Sequence, residues 1–191
     1  MTIHAGRHSA PTLLVVGRGI AAAREGLLDR WSQWLVERGS GSQGLDPAAL
    51  ARPLRIILDL MVHMSGPHRR EARESWYAAT ELYGRLAEAR GLSAGEVVEE
   101  LQHLRELVIV ELADLFVALP ARQQLPAVLR ISRVLDTAVT NGVVGYTDAL
   151  VASMFNREGV PVPTTENLQD LLDQLCALEG DVKLLAERSA G

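Results

Sequence analysis

Few residues in this chain have the type and spacing to do chemistry, and the first candidates are a Glu-x-x-His pair, Glu100 and His103. At this spacing one helix offers a carboxylate and an imidazole to a di-iron centre, which also needs a second such pair on a facing helix. The sequence contains no second Glu-x-x-His. We therefore expect Glu100 and His103 to be a solvated or half-buried pair beside the apolar face of their helix.

Three further side chains are candidates for holding a metal or cofactor. His63 and His68 flank a predicted turn, and a haem or another tetrapyrrole could be ligated through His63 or His103. Because a lone histidine is more commonly a surface or core residue, we expect no cofactor and keep haem as the alternative. Cys176 is the only cysteine, so no intrachain disulfide can form, and we expect a small buried thiol.

An apolar run leading into Gly17-x-Gly19 imitates the start of a dinucleotide-binding motif. A Rossmann site also needs a second parallel strand that carries an acidic residue about 20 residues further on. That region has Trp31 and Trp34 on helical spacing instead. We predict one amphipathic helix that ends near Arg38, in which the glycines allow close packing.

The composition favours packed helices and excludes several classes of protein. Apolar residues make up 48% of the chain and aromatic residues only 4%, so Leu, Val and Ala must form most of the core. A net charge of −5 argues against nucleic-acid binding, and no apolar run reaches the ~18 residues of a membrane span. A single cysteine and the lack of a signal-peptide pattern favour a reducing cytoplasm. No motif of a hydrolase, P-loop or zinc site is present, so we do not expect an enzyme.

The elements that must position these residues are helices, and the longest apolar face runs from Gly91 to Leu119. Ser93 and Glu96 have the spacing of a capping box at its start, and Gly91 suits the left-handed residue that ends the preceding helix. The apolar side chains recur every three or four residues, as one helix face requires. They are Val97, Leu101, Leu104, Val108, Leu112 and Leu115.

Four other segments have the same periodicity, which predicts an all-α domain over residues 12–157 after a disordered tail at 1–11. They are a helix to about Arg38, one from Pro47 to about Met64, one from His68 to Arg90 and a long one from about Pro126. The fold is expected to be globin-like or bundle-like, with about five main helices and a C-terminal helix. The predicted inner face of the long helix comprises Leu129, Val134, Leu135, Ala138, Val139, Val143, Tyr146, Leu150 and Phe155.

The C-terminal segment 164–191 follows a predicted linker at 158–163, whose prolines cannot continue a helix. Its apolar residues have the spacing of a heptad seam. Such a seam either pairs with a second copy as a coiled coil or folds back onto its own domain, and the linker favours the dimer. The predicted dimerisation residues are Leu168, Leu171, Leu175, Leu178, Val182 and Leu185.

One stretch reads Tyr83-Gly-Arg-Leu-Ala-Glu-Ala-Arg-Gly-Leu-Ser-Ala-Gly-Glu-Val-Val-Glu-Glu-Leu and is followed by Leu104-Arg105-Glu106. With Trp31 and Trp34 in an early helix, it resembles the N-terminal domain of the RsbT co-antagonist (RsbR-type) proteins over about residues 20–157. The resemblance implies a globin-like sensor domain that has lost haem, is usually dimeric and supplies no catalytic residues. Such domains precede STAS domains in stress-response stressosomes, or histidine kinases of two-component systems and transcription regulators elsewhere.

The function expected from the sequence is therefore non-enzymatic signal sensing in the cytoplasm. A homodimer would relay packing changes to a protein signalling partner or a fused output module, without nucleic-acid or membrane partners. Two alternatives remain open at this point. One is a globin-type sensor that binds haem or another tetrapyrrole, and the other is a dimeric scaffold without a ligand.

Overall fold

A computed structural model describes residues 10–38, 47–157 and 164–190, and it confirms the all-α prediction. Over these residues the chain forms a bundle of seven helices and contains no strand. Most of the predicted tail and all of the predicted linker lie outside the described residues. The helices are α1 (Ala10–Glu37), α2 (Pro47–Ser65), α3 (Arg73–Ala89), α4 (Ala94–Glu111), α5 (Ala113–Ala118), α6 (Ala121–Arg157) and α7 (Thr164–Ala190).

Helices α3 and α6 make the most extensive contact of the bundle, and α1, α2 and α4 pack around them. Three large aromatic side chains, Trp31, Trp76 and Tyr83, are fully buried between these helices. The ring centroids of Trp31 and Tyr83 lie 5.7 Å apart, and the indole Nε1 of Trp76 donates to the Thr137 hydroxyl at 3.1 Å. A few large aromatics thus connect α1, α3 and α6 in a core that otherwise consists mainly of Leu, Ile, Val, Met and Ala.

Glycines allow α3 and α6 to approach until their backbones touch. A methyl group added to Gly84 of α3 would overlap the carbonyl oxygen of Gly142 on α6. One added to Gly145 would overlap the carbonyl oxygen of Glu81. Any larger residue at these positions must push the two helices apart. The glycines therefore set the short distance between α3 and α6.

The start of α4 is capped as the sequence predicts. The Ser93 hydroxyl accepts from the amide of Glu96, and the Glu96 carboxylate accepts from the amide of Ser93 at 2.7 Å, which completes the capping box. These hydrogen bonds hold the pKa of Glu96 below its ordinary value. Gly91 has the expected left-handed conformation, with φ of 77°. The turn between α3 and α4 is therefore set by local sequence.

The helix predicted from Gly91 to Leu119 is interrupted in the structure. Leu112, with φ of −93° and ψ of 8°, lies between α4 and α5. Its amide still donates to the carbonyl of Val108, and its carbonyl accepts from the amide of Phe116, so the two helices remain joined. The predicted apolar face is otherwise correct. Its members Val97, Leu101, Leu104, Val108 and Leu112 are buried, and Leu115 is half-buried.

Helix α1 forms where a strand would have supported the nucleotide-binding interpretation, and its glycines serve packing. A methyl group on Gly17 would lie 3.2 Å from the carbonyl oxygen of Val62 in α2. One on Gly19 would overlap the side chain of Leu115. The two glycines thus allow α1 to lie close against its neighbours, as predicted, and the likeness to a dinucleotide motif reflects this packing.

Helix α6 begins earlier and faces the core differently from the prediction. It starts at Ala121, so Pro126 lies inside the helix. Leu129 and Leu150 were expected to face inward, but they are 45% and 37% exposed. The glycines that contact α3 determine which face of α6 is buried. The prediction failed because it identified that face from the large apolar residues alone. The buried side chains of α6 are Ala127, Ile131, Val134, Leu135, Ala138 and Tyr146.

Candidate functional site

The C-terminal helix α7 packs against α2 and α3 of its own chain. Of its heptad residues, Leu175, Leu178 and Leu185 are buried, whereas Leu171 and Val182 are half-buried. The side chain of Leu168 lies outside the described part of the chain. Full burial of a leucine contributes roughly 1.5–3 kcal/mol, so these three side chains supply most of the free energy that holds α7 in place.

In this arrangement the seam residues contact their own chain, and the pairing of the seam with a second copy stays a prediction. Because Leu175, Leu178 and Leu185 contact the same chain, a coiled coil through these residues requires α7 first to leave α2 and α3. The other alternative, a helix folded back onto its own domain, describes the structure. The linker composition favoured the dimer because sequence alone contains no information about the apolar surface that α2 and α3 present to α7.

Polar contacts flank the apolar seam and fix the position of α7 along the bundle. The guanidinium of Arg52 in α2 donates two hydrogen bonds to the Glu179 carboxylate, both at 2.9 Å, and these bonds lower the pKa of Glu179. The hydroxyl of Ser75 in α3 donates to the Asp181 carboxylate at 2.8 Å. Since these contacts lie on both neighbouring helices, they define one register for the docked helix.

A groove of about 360 Å³ runs between α2 and α7. Ala51, Ile56 and Val182 contribute apolar surface to it, and charged side chains line the rest. Most of these charges are already paired, because the guanidinium of Arg52 binds Glu179 and that of Arg55 binds Glu25. The groove therefore has no strong preference for an anion or a cation, but a molecule seated in it would contact both α2 and α7.

A second polar cluster, formed by Tyr83, Arg90 and Glu100, is buried at the corner between α3 and α4. The side chains of Arg90 and Glu100 are 1% and 0% exposed and form an ion pair. The Tyr83 hydroxyl donates to the same carboxylate at 2.6 Å. Burial and the neighbouring Glu100 carboxylate raise the pKa of Tyr83 well above its ordinary value. Because the cluster is closed to solvent, it positions α3 against α4 and offers no access to a substrate.

This cluster corrects the expectation that Glu100 and His103 form a solvated or half-buried pair. Glu100 is fully buried and bonded to Arg90 and Tyr83, whereas His103 lies apart from it on the ring of Trp34, with centroids 4.2 Å apart. One sequence signal could have found the arrangement. Glu100 precedes Leu104 by four residues, so it lies on the same apolar face and needs a buried cation.

The two histidines considered as haem ligands have different surroundings. His103 stacks on Trp34, and its Nδ1 lies 3.9 Å from the Glu106 carboxylate. His63 is half-buried near the end of α2, where its Nδ1 lies 3.5 Å from the Ser189 hydroxyl of α7. Burial lowers the pKa of both imidazoles. These contacts place His103 against α1 and connect His63 to the docked helix, and haem ligation by either histidine stays an alternative.

Cys176 is exposed, which corrects the expectation of a buried thiol. It precedes Leu178 by two residues and follows Leu175 directly, so it lies on the side of α7 next to the seam. Its sulfur accepts a long hydrogen bond of 3.6 Å from the guanidinium of Arg52. The thiol can therefore be labelled chemically, and a label on it would lie at the boundary between α2 and α7.

Further comparisons supply no assignment for these clusters. In the three described ranges, no group of three or more His, Cys, Asp or Glu side chains is placed to hold a metal ion. No helix in those ranges combines the length and apolar character needed to cross a membrane. The chain gives no match to protein-family models, to curated protein sequences or to solved structures.

Proposed function

We propose that this chain is a non-enzymatic regulatory domain of the cytoplasm, in which α7 relays packing changes in the bundle to a protein partner or a fused output module. The observation that carries this proposal is the heptad seam of α7, which is buried against α2 and α3. A heptad seam also suits pairing with another helix. The same leucines can thus be buried in two ways, and an element with two packings is what a relay requires.

The polar contacts that hold α7 contribute little to its docking. The side chains of Arg52 and Glu179 are each 43% exposed, and exposed ion pairs contribute about 0–1 kcal/mol. A hydrogen bond such as that from Ser75 to Asp181 adds roughly 0.5–1.5 kcal/mol. Docking therefore depends mainly on Leu175, Leu178 and Leu185. A partner that buries the same leucines would raise the population of the released helix.

The rest of the bundle supports this role as a fixed frame. The Tyr83, Arg90 and Glu100 cluster ties α3 to α4, and the glycine contact at Gly84 ties α3 to α6. None of these contacts involves α7, so we expect them to persist when α7 is released. The likeness to RsbR-type sensor domains agrees with a regulatory role in which a C-terminal helix connects the sensor to an output.

Thiol trapping tests whether α7 leaves the bundle separately. In a Cys176→Ser background, Leu178→Cys places the only thiol in the buried seam, and Leu101→Cys places it in the core face of α4 as the matched control. We expect the thiol at 178 to react with a disulfide reagent at least about tenfold faster than that at 101, because local opening costs less than global unfolding.

The dependence on denaturant provides a second readout of the same experiment. Release of one helix exposes less surface than global unfolding, so the reaction at position 178 should depend weakly on low concentrations of urea. Equal rates and equal urea dependences at positions 178 and 101 would show that α7 opens only when the whole domain unfolds. That result would overturn the proposed relay.

A further inference from the structure

The outer face of α6 carries a stripe of exposed side chains, of which Asp136 is paired with Arg105 of α4. Its members recur every three or four residues, and the five apolar ones are 45–65% exposed. The stripe extends over ~44 Å of helix at 1.5 Å per residue. Apart from Val144, its apolar members lie towards the two ends, and exposed apolar patches on a helix surface are typical of protein contacts. Its members are Leu125, Leu129, Arg133, Asp136, Thr140, Val144, Thr147, Val151 and Met154.

The stripe is nearly symmetrical about its central residue, Thr140. Leu129 and Val151 lie 11 residues before and after it, and Leu125 and Met154 lie 15 before and 14 after. In an antiparallel pair of α6 helices centred on Thr140, Leu129 of one copy would thus lie opposite Val151 of the other. Leu125 would lie opposite Met154 in the same way. A contact of this kind is self-complementary, which is the requirement of a two-fold symmetric dimer.

Two charged residues on or beside this face, Arg133 and Asp148, have nearly the same symmetry, whereas Asp136 is already paired with Arg105. Arg133 lies seven residues before Thr140 and Asp148 eight residues after it, and both are exposed. Within the described residues neither of them takes part in an ion pair or a side-chain hydrogen bond. Antiparallel pairing would place Arg133 of each copy near Asp148 of the other, so the dimer would gain two equivalent ion pairs. This complementarity favours a second copy of the chain as the occupant.

We propose that two copies of the chain pair antiparallel through α6, with Thr140 on the two-fold axis. This surface replaces the heptad seam of α7 as the dimer contact, because the seam is covered by α2 and α3. The inference is independent of the proposed relay. A dimer through α6 leaves α7 of each copy docked, and α7 can be released without dissociating the dimer.

Cross-linking across the axis is the most specific test. Thr140 and Thr147 are both exposed, and the hydroxyl of each donates to the carbonyl four residues earlier in α6. In a Cys176→Ser background, Thr140→Cys should form a disulfide-linked dimer under mild oxidation, because position 140 meets its own counterpart. Thr147→Cys is the matched control and should remain mostly unlinked, since it would face position 133.

Charge exchange tests the register without relying on cysteine chemistry. Arg133→Asp and Asp148→Arg should each weaken the dimer about tenfold or more, because each change affects two symmetric pairs. The double variant, Arg133→Asp with Asp148→Arg, should restore the affinity to within about threefold. The dissociation constants would be measured by sedimentation equilibrium, and circular dichroism would verify that every variant is folded.

Three outcomes would overturn the proposal. The parent chain could be a monomer at about 100 µM, where a contact of micromolar affinity is saturated. The double variant could fail to restore pairing. Finally, Leu184→Asp on the exposed side of α7 could dissociate the dimer as strongly as Leu129→Asp, which would place the contact on the C-terminal helix.

Discussion

The guanidinium of Arg90 and the carboxylate of Glu100 form an ion pair in the interior, where their side chains are 1% and 0% exposed. Glu100→Ala would leave the Arg90 charge buried without a partner and would remove the acceptor of the Tyr83 hydroxyl. Breaking a buried pair in this way typically costs about 3–5 kcal/mol. We therefore expect Glu100→Ala to lower the free energy of unfolding, measured in urea, by an amount in this range.

The exposed pair between Arg105 and Asp136 provides the control, since its side chains are 32% and 59% exposed. Asp136→Ala should cost about 1 kcal/mol or less. Replacing the whole buried cluster with apolar residues, as Tyr83→Phe, Arg90→Met and Glu100→Leu, should recover most of the lost stability. If Glu100→Ala costs no more than Asp136→Ala, the buried pair does not exist as described.

The close contact between α3 and α6 makes a second prediction. Gly84→Ala or Gly145→Ala would insert a methyl group into the backbone of the facing helix, and we expect a loss of about 3 kcal/mol or more from overpacking. Gly26→Ala is the control, because nothing lies within 4 Å of its added methyl group. In the interior of α1 it should instead stabilise the protein by up to ~1 kcal/mol. Thermal melts that rank the three variants otherwise would contradict this packing.

The apolar face of α4 is tested by truncation. Leu104 is fully buried, and Leu104→Ala should cost about 2–5 kcal/mol, with each kcal/mol lowering the melting temperature by about 2–4 °C. Val110 on the same helix is 67% exposed, so Val110→Ala should change the melting temperature by a degree or two at most. Similar melting temperatures for the two variants would show that α4 is oriented differently.

Sequence periodicity predicted the parts of this fold that local rules determine. The capping box of Ser93 and Glu96, the left-handed Gly91 and the buried face from Val97 to Leu112 all depend on residues close together in the chain. Each of these features could be read from spacing and from the conformational preference of one residue type. Local sequence is therefore a good guide to α4 and to the turn before it.

The features that the sequence analysis missed depend on which helices meet. Leu129 is exposed because Gly142 and Gly145 turn α6 towards α3, and a glycine carries no apolar signal. Glu100 is buried because Arg90 lies at the end of α3, ten residues earlier. The seam of α7 has the same spacing whether its partner is a second copy or α2 and α3. Periodicity identifies a face to be buried but does not identify the surface that buries it.

The surroundings of His63 predict that the stability of the folded chain depends on pH. Burial and the nearby His68 lower the pKa of His63, although Asp59 opposes the shift. Below about pH 6.5, the unfolded chain therefore binds a proton more readily than the folded one, so stability is fully present above this pH and falls on acidification. We expect the melting temperature to decrease from pH 7.5 to 5.5 and His63→Gln to reduce this dependence. An unchanged dependence in the variant would show that His63 does not contribute.

The separate opening of α7 is the central claim, and native-state hydrogen exchange of the unmodified chain tests it most directly. Mass spectrometry would compare peptides from residues 169–188 of α7 with peptides from residues 97–108 of α4, at increasing low concentrations of urea. We predict that the α7 amides exchange with a lower free energy of opening and a smaller urea dependence than the α4 amides. Equal free energies and equal urea dependences for the two helices would contradict the account, because α7 would then be an inseparable part of the bundle.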